Sequence, residues 1–331
     1  MRATMLNRNL EYPDILRKNV LNSAKCIFNQ PLQQRQFCPP VGVMVGLVFF
    51  VDPNLGDDNN DGQSLDTPLR TVGEALTRCR PQMGDTIIVV PNNAWQYHNH
   101  ADGRLLSVEE EIAIAVPGIN LIGVSPSPLG VVWQPINNAG TCIAVYALDV
   151  NIEGFCFTEG SHNGVNGILA RWNGVTAWAD NLAVRNCHFD ECVVGIQLDY
   201  TWYGNLIGNY FQDCDKAIFC DIADSGIGYM NITDNRIQSR DGYALSLQDC
   251  DENYIARNHI WQEEAILAAA GAANKGIDLG SGSYNLVEDN FLSCLLPVPA
   301  AGDYNAFNTA GTRDAWINNH CMNGLAVTNP T

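Results

Sequence analysis

The chain has 331 residues, 16% of them charged and 46% hydrophobic. An apolar share of that size excludes wholesale disorder, and the length exceeds one ordinary single-core domain while suiting a solenoid or a large β fold. Eighteen Lys and Arg stand against 36 Asp and Glu, a net charge of −18, so the surface repels phosphate backbones and argues against a nucleic-acid partner.

Residues 1–45 show no clear hydrophobic period. Leu6–Ser23 reads as one short amphipathic helix broken at Pro13, and Gln30–Pro40 as an extended arm. The first thirty residues carry charges throughout and no apolar leader, so synthesis in a cytoplasm is expected. The longest apolar run, Val41–Val51, is half a membrane span and reads as strand. No membrane partner is expected. Such an arm buries no core alone and is expected to lie on a neighbouring surface. Residues 1–47 are therefore read as an anchor and 48–331 as the folded body.

The body opens with a strand at Val48–Asp52 and a loop of turn formers, Asp52-Pro53-Asn54-Leu55-Gly56-Asp57-Asp58-Asn59-Asn60-Asp61-Gly62. Thr67 and Pro68 read as the N-cap and first position of a helix over Leu69–Arg78, with Leu69, Val72, Ala75 and Leu76 on its apolar face. Thr86–Val90 reads as a fully buried strand, and the helix as a plug for the open end of stacked strands. Further strands are expected at Glu111–Val116 and Asn120–Val124. Between them and the opening lies a polar excursion, Asn93–Arg104, with Trp95, Tyr97, His98 and His100.

Residues 140–331 carry an internal repeat. A short apolar stretch, a polar pair, Asn and an apolar residue recur around Asn186, Asn209, Asn235, Asn258, Asn290 and Asn318, at intervals of 23, 26, 23, 32 and 28 residues. A five-residue strand follows most of them: Gly167–Arg171, Gly195–Asp199, Ala217–Asp221, Tyr243–Gln248 and Gly276–Gly280, with Gly324–Val327 as a last candidate. Each period reads as one turn of a coil built from two or three strands, stacked in parallel on the next about 4.8 Å away. Alternation puts Ile168, Ile196, Ile218, Leu245 and Ile277 in one inward ladder. The recurrent Asn, with Asn186, Asn209, Asn235, Asn258 and Asn290 as ladder members, is expected to bond the bend backbone and the Asn of the next turn. Glu263–Asn274 and Pro297–Gly311 read as loops bulging from bends.

These features resemble the right-handed parallel β-helix superfamily, the pectin-lyase-like fold. The segment VDPNLGDDNNDGQSLDTPLRTVGEAL is similar to the opening motif of its bacterial and viral members, and the Asn-marked coils extend the likeness over most of 140–331. The resemblance implies an all-β right-handed parallel β-helix solenoid, with an N-terminal capping helix and an extended N-terminal arm. It implies function only loosely, because the superfamily holds lyases, hydrolases, epimerases, tailspikes and non-catalytic virion proteins.

Two columns of outward positions follow from this register: Arg171, Asp199, Asp221, Gln248, Gly280 and Leu169, Gln197, Phe219, Ser246, Asp278. Asp199 and Asp221 fall one coil apart, about 5 Å, which suits a retaining carboxylate pair. The plainer reading is that Asp199 pairs with Arg171 or caps a turn. A lyase site needs a Ca²⁺ cluster beside a base, and Arg236, Arg240 and Arg257 stand isolated. Asp57, Asn59 and Asp61 imitate the first half of a calcium loop, but Pro68 occupies the place of its bidentate acid, so a turn is favoured and no metal or cofactor is expected. Tyr200, Trp202 and Tyr203 suit sugar stacking or, by preference, a subunit interface. The 12 Cys form no CxxC pair; those in strand-like runs, such as Cys142, Cys156 and Cys220, read as buried thiols. His98, His100, His162, His188, His259 and His320 form no triad.

The expectation is a non-enzymatic virion structural protein: a homotrimeric β-helical spike, fibre-base or capsid decoration protein, attached to other virion proteins through residues 1–47, with a host surface glycan as a possible ligand. The alternative is a glycan-cleaving β-helix enzyme, such as a depolymerising tailspike, using Asp199 and Asp221.

Overall fold

A computed structural model describes residues 46–90, 108–125, 130–158, 164–172, 174, 178–220, 226–247, 249–262, 275–280, 282–294, 305–308 and 314–321. The chain divides into Met1–Met44 and Val45–Thr331, and the described residues all lie in the second unit. The expected arm and its helix, the Asn93–Arg104 excursion, the Glu263–Asn274 loop, the Gly324–Val327 strand and Asp221 lie outside the described residues. The expected Pro297–Gly311 loop is described only at Asn305–Asn308, which is strand instead, paired in parallel with Lys275–Asp278.

The body is a parallel β-helix. One coil runs from Ala183–Arg185 through His188–Asp190 to Val194–Leu198, and the chain then returns to the first face at Asn205–Ile207. The first face is a ten-stranded sheet from Val48–Val51 to Ala315–Ile317, and every pairing in it is parallel. The second and third faces join into one fifteen-stranded sheet, because Tyr210–Cys220 and Arg236–Leu247 run as continuous strands around the corner between them. Their pairing shifts register on either side of Cys214, which is how the ladder rounds the corner.

Two-residue alternation sets what is inside. Ile168, Ile196, Ile218, Leu245 and Ile277 pair in unbroken register and are all fully buried, as the sequence predicts. On the second face the inward row is aromatic. Phe157 stacks on Phe189 at 5.1 Å and Phe189 on Phe211 at 4.7 Å between ring centroids. These rings reach the opposite wall: a Cβ on Gly167 would lie 2.7 Å from the Phe189 ring, and one on Gly195 equally close to Phe211. Glycine on the third face makes room for phenylalanine on the second. Eight of the described cysteines are buried thiols in no disulfide, and they act as small apolar fillers.

The opening unit differs from its sequence reading in two places. The helix, α1, spans Val72–Arg78 and is capped by Thr71, whose side chain accepts from Glu74 N–H at 3.1 Å. Thr67–Leu69 stays extended because the backbone of Leu69 is committed to Phe50 and Asp52, and Thr67 donates its hydroxyl to Asp61. Thr86–Val89 alternates instead of being buried throughout, with Ile87 and Val89 inside. The helix still closes the end of the coil. It buries Val72, Ala75 and Leu76 against the first strands, and Glu110 of the next coil lays its two oxygens on the amides of Val72 and Gly73, each at 2.9 Å.

Asp85 locks this end. Its carboxylate accepts from Leu47 N–H, Arg80 N–H and the Arg80 guanidinium. Burial pushes its pKa up, but the Arg80 side chain and the backbone donors outweigh that and hold it below the ordinary carboxylate value. A depressed folded-state pKa contributes stability above the unfolded value, and that stability is lost as pH falls through the folded value. Asp85→Asn is therefore expected to lower the melting temperature near neutral pH. The gap from the parent protein should close on acidification below about pH 4. A gap that stays constant from neutral pH to pH 3 would refute the assignment.

Candidate functional site

The two bends flanking the first face are each built on a left-handed residue followed by a buried one, which is polar in the later coils. At the bend entering the second face, Gly154, Asn186, Gly208, Asp234, Arg257, Asp289 and Asn318 all have positive φ, from 51° to 81°. The residue after each turns inward. Asn209, Asn235, Asn258, Asn290 and Asn319 form a ladder in which each carboxamide oxygen accepts from the preceding coil. Each carboxamide NH₂ donates to a backbone carbonyl.

Asn186 is not a rung of this ladder. It occupies the left-handed position itself and donates to Glu153 at the surface, while Cys187 fills the inward place and donates its N–H to the Asn209 carboxamide oxygen. Likewise Asn319, and not Asn318, ends the row. Asn tolerates left-handed geometry almost as well as glycine, so adjacent positions of the bend both accept it and the sequence repeat does not separate them.

A second ladder on the opposite bend escaped the sequence reading. Asn253 accepts from Met230 N–H, Asn285 from Asn253 N–H and Asp314 from Asn285 N–H, at 2.9–3.0 Å. Asn253, Asn285 and Asp314 each stand five residues ahead of Asn258, Asn290 and Asn319. That fixed offset was the available signal.

Asp199 ends the Val194–Leu198 strand and is 4% exposed. The Gln197 carboxamide donates to both its oxygens, at 3.3 and 3.1 Å, and its own N–H is bonded to Ala170. The expected row of Leu169, Gln197, Phe219, Ser246 and Asp278 pairs in register, although Phe219, Ser246 and Asp278 are buried. Gln197 lies opposite Phe219, and Asp221 lies outside the described residues.

The three aromatic candidates separate. Tyr200 meets Trp172 and Trp178 edge-on at 6.0 and 5.9 Å, while those two indoles stack at 5.3 Å. Tyr203 instead stacks on Tyr229 of the next coil at 5.0 Å with ring planes 10° apart. Trp202 lies over Gly228, where a Cβ would come within 2.5 Å of the indole, and approaches Tyr229 at 5.9 Å. A different strip crosses the second face, where His188 stacks on Tyr210, Tyr210 on Trp261, and His259 meets both Trp261 and Phe291. Burial first, then the Arg236 charge, holds the His259 imidazole below its ordinary value.

In the opening loop Asp57 turns its carboxylate onto Asn59, and Asp61 onto Gln63 and Thr67. These bonds hold both acids below the ordinary carboxylate value and describe a pair of self-closing turns.

No curated protein matches the sequence. The structure is similar to a GH136 lacto-N-biosidase from Eubacterium ramulus, at TM-score 0.55 and 12% identity over 83% of this chain and 56% of that one. It is also similar to ORF18 of Geobacillus virus E2, at TM-score 0.45 and 12% identity over 97% and 66%. A third similarity is to the Dettilon tailspike protein, at 0.38 and 11% over 83% and 62%. The chain thus spans between 56% and 66% of the length of these structures. At such identities the first likeness speaks for the fold alone.

The family model described as periplasmic copper-binding protein (NosD) matches residues 108–324. Among the described residues no group of three or more His, Cys, Asp or Glu side chains is placed to hold a metal ion. Burial raises the Cys187 thiol to about 12 and those of Cys142 and Cys250 well above their ordinary value, so these sulfurs are protonated and enclosed. Copper finds no fitting donor set there. With stacked parallel coils and a family match over the greater part of its length, this chain belongs to the NosD family of parallel β-helix proteins.

Proposed function

We propose that this chain is a non-enzymatic structural protein, a β-helical spike, fibre-base or decoration component of a phage virion. The observation that carries the non-enzymatic part is the state of Asp199. The acid on which a hydrolase mechanism would depend is almost fully buried and bridged by the Gln197 carboxamide. A general acid must reach the glycosidic oxygen, and a nucleophile the anomeric carbon, so an enclosed carboxylate suits neither role. The mechanical part rests on the two amide ladders and the aromatic stack, which tie each coil to the next along the axis. The virion setting rests on the expected N-terminal arm and on the likeness of the opening unit to that of bacterial and viral β-helix proteins. In this reading the protein is a homotrimer held to its neighbours through residues 1–47.

Glycan cleavage by Asp199 with Asp221 is the second reading, favoured by the in-register pairing of Gln197 with Phe219, two positions ahead of each acid in the sequence. Solution mass and reducing-end release from a polysaccharide panel separate the two. The structural reading expects a trimer and no release. Release by the parent protein that both Asp199→Asn and Asp221→Asn abolish would replace it with the enzymatic one.

A further inference from the structure

Seven asparagines of the two ladders obey one rule. The carboxamide NH₂ of each donates to the backbone carbonyl three residues before the preceding rung, at 2.7–3.5 Å. Asn235 donates in this way to Leu206, three before Asn209, and Asn285 to Cys250, three before Asn253. The carboxamide is thus read at both ends: its oxygen takes the amide of one rung, and its NH₂ satisfies a carbonyl of the same coil.

Asp314 departs from the rule. It is the rung after Asn285, and its Oδ1 behaves as a carboxamide oxygen does, accepting from the Asn285 N–H at 2.9 Å and the Asn285 NH₂ at 3.1 Å. Its Oδ2 stands in the place of the NH₂. That oxygen is enclosed, and no donor among the described residues reaches it. By the register of the other rungs, the carbonyl set opposite it is that of Gly282, three residues before Asn285. Two acceptors facing each other away from water repel, and each forgoes a hydrogen bond. A proton on Oδ2 turns the repulsion into the missing bond, because a neutral carboxyl offers one donor and one acceptor, the pattern of a carboxamide.

The surroundings favour that proton. Burial pushes the Asp314 carboxyl up, by more than the two bonds from Asn285 pull it down, and the Asp251 charge adds to the rise. Asp251 is exposed and accepts from Ser283 N–H at 2.8 Å. Cys250 lies nearby as a thiol that burial keeps protonated. Glu288, on the paired strand, is turned to the Tyr254 hydroxyl at 2.6 Å. No Lys, Arg or His among the described residues forms an ion pair with Asp314.

We propose that Asp314 stands in its ladder as a neutral acid donating Oδ2–H to the Gly282 carbonyl, and that loss of this proton loosens the last described coil. Ala315–Ile317 follows it directly and is the outermost strand of the first face, so the loosening is felt there. An acid whose folded-state pKa is raised contributes stability that is full below its unfolded value, about 3.9, and is lost as pH rises through the folded value. The latch therefore works in the sense opposite to Asp85. It does not depend on whether the chain is a structural protein or an enzyme.

Asp314→Asn in the full chain is the test, since a carboxamide supplies the donor at every pH. One readout is the ¹³C titration of the Asp314 carboxyl, which should fall above the ordinary aspartate value. The other is exchange of the Ala315 amide, which bonds the Asn285 carbonyl at 2.8 Å. Corrected for intrinsic rates, this amide should be equally protected in parent and variant at about pH 3.5. At pH 7 it should exchange about tenfold faster in the parent for each unit by which the carboxyl is raised. Asp314→Ala, which restores no bond, should exchange fast at both pH values. A carboxyl titrating at or below the ordinary value would overturn the proposal. So would an Asp314→Asn chain no better protected than the parent at pH 7. An Asp314→Ala chain as well protected as Asp314→Asn would also overturn it, by tracing the effect to removal of the charge alone.

Discussion

Asn235→Ala is expected to destabilise the coils by about 4 kcal/mol. The side chain is 1% exposed and makes four hydrogen bonds. Its oxygen accepts from the backbone and side-chain N–H groups of Asn209, and its NH₂ donates to the Leu206 carbonyl and to Asn258. Alanine strands two buried backbone groups, the Asn209 N–H and the Leu206 carbonyl, and each such loss costs about 2 kcal/mol. The defect is local at first, because a solenoid coil touches mainly its neighbours. Amide exchange should therefore quicken in the coils around Asn209 and Asn258 before the urea midpoint falls for the whole chain. Asn186→Gly is the control. Position 186 needs left-handed backbone and makes only a surface bond to Glu153, so this change should move the midpoint little. Equal effects of the two substitutions would mean that Asn186 is a rung after all.

Phe189→Ala is expected to cost about 4 kcal/mol by a different route. The ring is fully buried between Phe157 and Phe211, in contact on both faces, and its edge fills the space left by Gly167. Neighbouring coils are held apart by backbone hydrogen bonds at the sheet spacing, so they cannot collapse into the hole. Gly167→Ala attacks the same contact from the other wall and should also destabilise, since its Cβ would meet the Gly195 carbonyl oxygen at 2.6 Å and the ring at 2.7 Å. Combined with Phe189→Leu, which frees volume on the ring side only, Gly167→Ala should cost less than in the parent background while the clash with the Gly195 carbonyl remains. A double-mutant cycle by urea denaturation reads this coupling directly, and strict additivity would show that the two walls do not touch.

Several expectations stand on alternation and spacing alone. The inward ladder from Ile168 to Ile277 could be read in advance, because a one-residue slip would turn every one of these side chains into water. The Asn209, Asn235, Asn258 and Asn290 rungs were legible for a related reason. A buried carboxamide must repeat in every coil or leave its neighbour unsatisfied, so the demand is written into the sequence as a period. The start of α1 was less so. Thr67-Pro68 is a sound local capping signal, overridden by the pairing of Leu69 with the first strand, a contact nineteen positions back to Phe50.

The sequence by itself determined the coil, its inward rows and the buried state of cysteines in the strand runs, such as Cys142, Cys156 and Cys220, because each follows from which side chains water rejects at a fixed period. Only the tertiary structure decided that Cys187 stands where Asn186 was expected, and that Tyr203 stacks with Tyr229 and not with Tyr200. It also decided that Asp199 is held inside a carboxamide bridge. The reason is geometric. Neighbours along a solenoid edge are one coil apart in the chain, at intervals that vary with every loop. The left-handed residue at each bend sets which of two adjacent side chains faces in, and only the folded register brings these positions together.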